Sequence, residues 1–259
     1  MKRPLIPMAV ALLTASLAGA QPPAAPSGGG QPPAPPPMTN LQIFPKDTPR
    51  AQVIQTMQAF TQALGVQCNY CHVQEGRGGL NEMPSDEKRT KLAARQMILL
   101  TRDINEKLPH AVSKPADQAT RVGCVTCHRG VPIPKALSDI LADTEKEKGV
   151  DAAVAQYWDL RKQFYGRAAY DFGEASLITV AQRLTNDKPD AALKLLEINA
   201  QYFPGSSRTF VTMSQAHLKK NDKDLAIQDL EKAAALDPQN AGLKRQLDQL
   251  KATGTGGQG

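Results

Sequence analysis

The sequence predicts an all-α chain made of two unlike helical modules in series. Three observations carry this. Apolar residues recur at 3.6-residue spacing between helix start and stop signals, the four cysteines are confined to two short motifs in the first half, and a 34-residue repeat occupies the second. The expected order is a leader over residues 1–20, a Pro/Gly-rich linker over 21–40, a first helical domain over 41–140, a repeat domain over 141–251 and a tail over 252–259. A chain of 259 residues with 41% hydrophobic content can bury two cores, although 5% aromatic residues is thin filling for them. The net charge of +6 is a modest excess that suits solubility and argues against a nucleic-acid partner.

Met1-Lys2-Arg3 forms a basic start, Leu5 to Leu17 an apolar run and Ala18-Gly19-Ala20 a small-residue cleavage site, the pattern of a secretory signal peptide. Pro7 interrupts that run and it is too short to span a bilayer, so no transmembrane segment is expected once the leader is cleaved. An exported, periplasmic protein follows, with cell-surface or extracellular residence left open. The stretch QPPAAPSGGGQPPAPPPMTN then reads as an extended tether, because its prolines lack amide donors and its glycines maximise chain entropy.

Asp47-Thr48-Pro49 starts the first helix and Gly65 stops it, with Val53, Ile54, Met57, Phe60 and Leu64 on one face. The motif Cys68-Asn69-Tyr70-Cys71-His72 follows. Ser85 is the expected N-cap of a second helix, with Asp86 and Glu87 in its first turn and an end near Lys107, before Pro109. Ala93, Met97, Leu100 and Ile104 form its expected inward face, and the second motif, Cys124-Val125-Thr126-Cys127-His128, comes after it.

These two motifs absorb every cysteine and two of the four histidines. Two thiols three positions apart can form thioethers with the vinyl groups on one edge of a haem, and the adjacent imidazole then lies under the iron. The pattern predicts two covalently bound c-type haems, held by Cys68, Cys71, Cys124 and Cys127, with His72 and His128 as proximal iron ligands. A zinc ribbon needs the pairs closer in sequence, a thioredoxin-like pair needs a βαβ context, and structural disulfides would leave both histidines without a role. Met57 on the first helix and Met97 on the second are the candidate distal ligands; His110 competes with Met97 for the second iron.

The stretches NLQIFPKDTPRAQVIQTMQAFTQALGVQCNYCHV, SDEKRTKLAARQMILLTRDIN and RVGCVTCHRGVPIP together resemble half of the tetrahaem cytochrome c subunit of photosynthetic reaction centres. The resemblance covers Asn40 to Pro134. It implies units of a helix carrying a distal ligand, a turn and C-x-x-C-H, with the four cysteines as thioether sites, His72 and His128 as proximal ligands and Met57 as a distal methionine. In that family one haem takes a distal histidine from elsewhere in the chain, which keeps His110 open beside Met97. Two motifs stand here where the family has four.

Beyond Pro134 the chain has no Cys and no phosphate-binding glycine loop. Ala192 and Ala226 are 34 residues apart, as are Pro204 and Pro238, which is the tetratricopeptide period. Two helix-turn-helix repeats are expected over Gly173 to Asn240, with Ala241 to Lys251 as a capping helix, and helices over Leu137–Lys148 and Asp151–Tyr165 extending the stack. Trp158, Tyr157, Phe164 and Tyr165 are expected in its core, and His217 in an inward packing role.

The expected function is electron transfer between protein redox partners, without catalysis, with the repeats available for docking. A dihaem peroxidase, or a repeat scaffold or redox sensor with haem as accessory, is the alternative. Residues 41–140 carry 13 basic against 9 acidic residues and residues 141–259 balance at 16 each, so the mature excess of charge sits where haem propionates would be.

Overall fold

The computed structural model describes residues 37–73 and 83–252. The leader over 1–20, most of the linker and the tail beyond Ala252 lie outside the described residues. Every regular element among them is helical: α1 (Arg50–Leu64), a 3₁₀ turn (Cys68–Tyr70), α2 (Arg89–Ala111), α3 (Cys124–His128), α4 (Leu137–Lys148), α5 (Val150–Phe164), α6 (Glu174–Leu184), α7 (Pro189–Tyr202), α8 (Ser207–Lys219), α9 (Lys223–Leu236) and α10 (Ala241–Ala252).

Pro49 stands at the N-cap of α1, and its carbonyl accepts from the amides of Gln52 and Val53. Gly65 ends the helix in the left-handed region, φ 66°. That conformation is required twice over, because a Cβ on Gly65 would lie 2.1 Å from the carbonyl oxygen of Gly130. The Gly130 amide in turn donates to the carbonyl of Ala63 at 2.9 Å. The end of the first helix is thereby seated, backbone on backbone, against the chain leaving the second motif.

Helix α2 departs from expectation at both ends. It starts at Arg89, four residues after Ser85, whose hydroxyl accepts from the Glu87 amide instead of capping the helix. Asp86 is occupied elsewhere: it receives Arg95 at 2.8 Å, Lys91 at 3.3 Å and the side-chain amides of Asn40 and Gln42. These tertiary bonds outcompete a local cap. At the other end the helix runs through Pro109 to Ala111, the proline costing one backbone bond in a last turn whose carbonyls are still met by Val112, Ser113 and Lys114.

The second half is a stack of helical hairpins. Leu137 and Leu141 of α4, Tyr157 of α5, Leu177 and Ile178 of α6, and Leu195 and Leu196 of α7 share one core. Phe210, Leu230, Ala233 and Leu243 continue it through α8, α9 and α10. The core therefore begins at Leu137, four residues before the boundary expected at 141. The 34-residue period is visible in the backbone. Phe203 and Asp237 close α7 and α9 with nearly the same dihedrals, φ −128°, ψ 63° and φ −131°, ψ 71°, each amide bonding the carbonyl four residues back. Ala192 and Ala226 are both fully buried. Ser206 caps α8 by accepting from the Thr209 amide.

The aromatic run splits where the sequence reading joined it. Tyr157 is buried and Phe164 packs on the core, but Trp158 and Tyr165 face outward, as residues adjacent to core positions on a helix must. Arg161 lies 4.2 Å from the ring centroids of both Tyr165 and Tyr202. Within α4 the buried carboxylate of Glu145 is met by Lys188 at 2.8 Å.

Candidate functional site

Each cysteine motif is one tight turn. In the first, the carbonyl of Cys68 accepts from the amides of Cys71 at 3.3 Å and His72 at 3.0 Å, gathering two thiols and an imidazole within five residues. In the second, α3 is opened by Gly123, whose amide donates to the Thr126 hydroxyl at 3.0 Å. It is closed by Arg129 in the left-handed region, φ 50°.

Helix α2 holds both turns. Near its start, the Thr90 hydroxyl donates to the Tyr70 carbonyl at 2.6 Å and the Lys88 ammonium to the Asn69 carbonyl. Near its end, the Asn105 side chain bonds both backbone groups of Val122, two residues before Cys124. These anchors carry no sequence signature, since the partners are backbone groups 17 to 20 residues away.

The two histidines are held alike. His72 Nδ1 lies 2.9 Å from the Met83 carbonyl oxygen and His128 Nδ1 lies 3.0 Å from that of Val131. A carbonyl only accepts, so each Nδ1 carries a proton, and in the neutral ring it is Nε2 that holds the lone pair. Burial, reinforced by Lys91, Arg95 and Lys88, pushes the His72 imidazolium to lose its proton more readily than usual.

All four thiols are free; Cys68 and Cys127 are exposed, Cys71 and Cys124 half-buried. Burial raises the Cys71 and Cys124 thiols above their ordinary range. Among the described residues no three of His, Cys, Asp and Glu gather as a metal cage, and there is no strand to make a βαβ redox unit. What each motif offers is two thiols and one imidazole whose Nδ1 is tied to a backbone carbonyl.

A cavity of about 780 Å³ opens beside the second motif. Phe60 and Ala63 of α1, Ile98, Thr101 and Arg102 of α2, and Cys124 form much of its wall. Met57 lies one turn before Phe60 and is half-buried. Met97 precedes Ile98 but is 44% exposed, and Leu100 and Ile104 share that exposure. The expected inward face of α2 is thus largely exposed, while the helix buries Lys91 on another side. His110 is exposed in the last turn of α2, and the cavity wall on that helix stops at Glu106.

The residues present fit a covalently held haem at each motif. The donor set is right in type, each histidine is bonded through Nδ1 and so has Nε2 left for a metal, and large apolar side chains of α2 stand exposed on the helix that clamps both turns.

The family model described as photosynthetic reaction centre cytochrome C subunit matches residues 10–172, through the end of α5 and beyond. Cytochrome c-554 of Chloroflexus aurantiacus is 41% identical over 83 residues, 32% of this chain and 18% of its own length. The photosynthetic reaction center cytochrome c subunits of Roseobacter denitrificans and Thermochromatium tepidum are 40% and 36% identical over 80 and 98 residues, 30% and 37% of this chain. The shared stretch spans about a fifth of each of these two relatives (20% and 21%). No solved structure matches the chain.

Proposed function

The chain belongs to the photosynthetic reaction centre cytochrome c subunit family, and from that premise we propose that it is an exported dihaem electron carrier whose helical repeats dock protein partners. Two c-type haems, one at each motif, would supply reversible one-electron iron chemistry when bound. The observation that carries the reading is the pair of Nδ1–carbonyl bonds at His72 and His128, which leaves Nε2 of each as the nitrogen available to iron, on a turn with two free thiols.

The chain's own residues have separable tasks. Cys68 and Cys71, and Cys124 and Cys127, attach the two groups. His72 and His128 would hold the irons as proximal ligands, and Met57 and Met97 would supply the distal ligands, with His110 the alternative at the second site. Filling the distal positions makes a carrier, because outer-sphere transfer needs no open coordination site. Covered by the bound groups, the apolar side chains of α1 and α2 would exclude water, which holds reorganisation down, and the basic excess of residues 41–140 would offset ionised propionates. The repeat half, with its 34-residue backbone period, supplies a rigid surface for a partner. Residues 1–20 would direct export, and no helix among the described residues is long and apolar enough to cross a membrane.

A spectroscopic redox titration of the purified protein tests this. Two haems per chain, low-spin spectra and a sulfur-to-iron charge-transfer band that is lost on Met57→Ala are expected. A single haem overturns the dihaem reading, and a high-spin site that binds cyanide and turns over peroxide replaces the carrier with an enzyme.

A further inference from the structure

The two proximal histidines differ in what stands behind their carbonyl partners. The Met83 carbonyl oxygen accepts twice: from His72 Nδ1 at 2.9 Å and from Lys91 Nζ at 2.9 Å. Lys91 is a buried ammonium, its side chain 11% exposed, and its three donors are spent on Met83 O, on Ser85 O at 2.7 Å and on Asp86 at 3.3 Å. It therefore fixes residues 83–86 as a unit and presents the Met83 carbonyl to the imidazole. The second site has no such device. His128 and Val131 close a local ring, each bonding the other's carbonyl or amide, and no described side chain reaches the Val131 carbonyl.

Two effects of this difference have the same sign. A carbonyl already bonded to an ammonium is a weaker acceptor for the imidazole N–H, so the ring keeps less electron density for the metal. The same ammonium, with Arg95 and Lys88 near the ring, also opposes positive charge on the oxidised iron, only partly offset by Asp86. Both favour the reduced state at the first motif.

Resting on the reading that His72 is a proximal ligand, we propose that Lys91 is the positioning residue of the first site, ordering the Met83 carbonyl and making this haem the higher-potential one of the two. An electron shared between the sites then resides at the first motif, and the second serves as its feeder.

The experiment is a spectroelectrochemical titration of the holoprotein, with haem content measured on the same samples. In the wild type two separate midpoints are expected. Lys91→Met should lower the upper midpoint and leave the lower one in place, while Lys91→Arg, which keeps the charge, should restore it. Asp86→Asn removes the opposing charge but keeps the Lys91 ammonium and its bonds to the Met83 and Ser85 carbonyls, and should shift the upper midpoint upward; it decides the matter if Lys91→Met does not fold. Two bound haems with unmoved midpoints in Lys91→Met and Asp86→Asn, or a shift confined to the lower midpoint, overturn the proposal and leave the dihaem reading intact. Absence of haem from the first motif in the wild type overturns that reading itself.

Discussion

Asn105 grips Val122 by both faces of its backbone: its side-chain amide donates to the Val122 carbonyl at 2.8 Å and its side-chain oxygen accepts from the Val122 amide at 2.7 Å. One side chain thereby ties the segment entering the second motif to α2. Asn105→Ala leaves two half-buried backbone groups without partners, at a cost of about 1–3 kcal/mol. Denaturant unfolding should show that loss, and mass spectrometry of the purified variant should show haem missing at Cys124 and Cys127 before it is missing at Cys68 and Cys71.

Gly65 lies so close to Gly130 that a side chain at Gly65 has no room. Gly65→Ala puts a side chain into left-handed backbone, which costs about 1–2 kcal/mol by itself. It also drives the new Cβ into a backbone oxygen 2.1 Å away that has no rotamer to yield. Expected are a stability loss exceeding the backbone term alone and faster amide exchange at Gly130, whose bond to Ala63 breaks when the two strands of chain part. Unchanged exchange at Gly130 would count against this joint.

Much of this could be read from the sequence where the signal is local. Gly65 ends α1 and Lys148 ends α4 as expected, and the Ala192/Ala226 repeat became a backbone repeat, because caps, periodicity and spacing act within a few residues. The misses share a different cause. Ser85 looked like a cap because Asp86's tertiary partners, Arg95 and Asn40, are invisible to a local reading. Met97, Leu100 and Ile104 are expected inward on periodicity, yet they are 37–49% exposed. Around the two motifs, cysteines and histidines stand out in the sequence, whereas Lys91 and Asn105 grip backbone groups of Met83 and Val122 that any residue could have supplied.

The second half carries a buried acidic group with a pH signature. His217 sits between Asp222, 3.7 Å from Nδ1, and Asp229, 3.6 Å from Nε2. Burial raises the Asp229 carboxyl, with His217 and Lys232 opposing only in part. A carboxyl whose folded value lies above its unfolded one binds more protons when folded, so its contribution to stability is full below the ordinary value of 3.8 and is lost as pH rises through the folded value. Asp229→Asn should flatten this fall and raise stability at neutral pH. Unfolding followed by fluorescence of Trp158, the single tryptophan, at a series of pH values measures it; equal slopes for the variant and the wild type would contradict the assignment.

The Ala63–Gly130 bond also bears on folding order. Each hairpin of the repeat half closes over a short stretch of chain, which is kinetically cheap, whereas the first half is complete only when residue 130 returns to residue 63 across two helices and both motifs. Refolding should be biphasic, with the repeats forming first. Until the slow closure is made, the stretch that carries both motifs remains an open loop between residues 63 and 130.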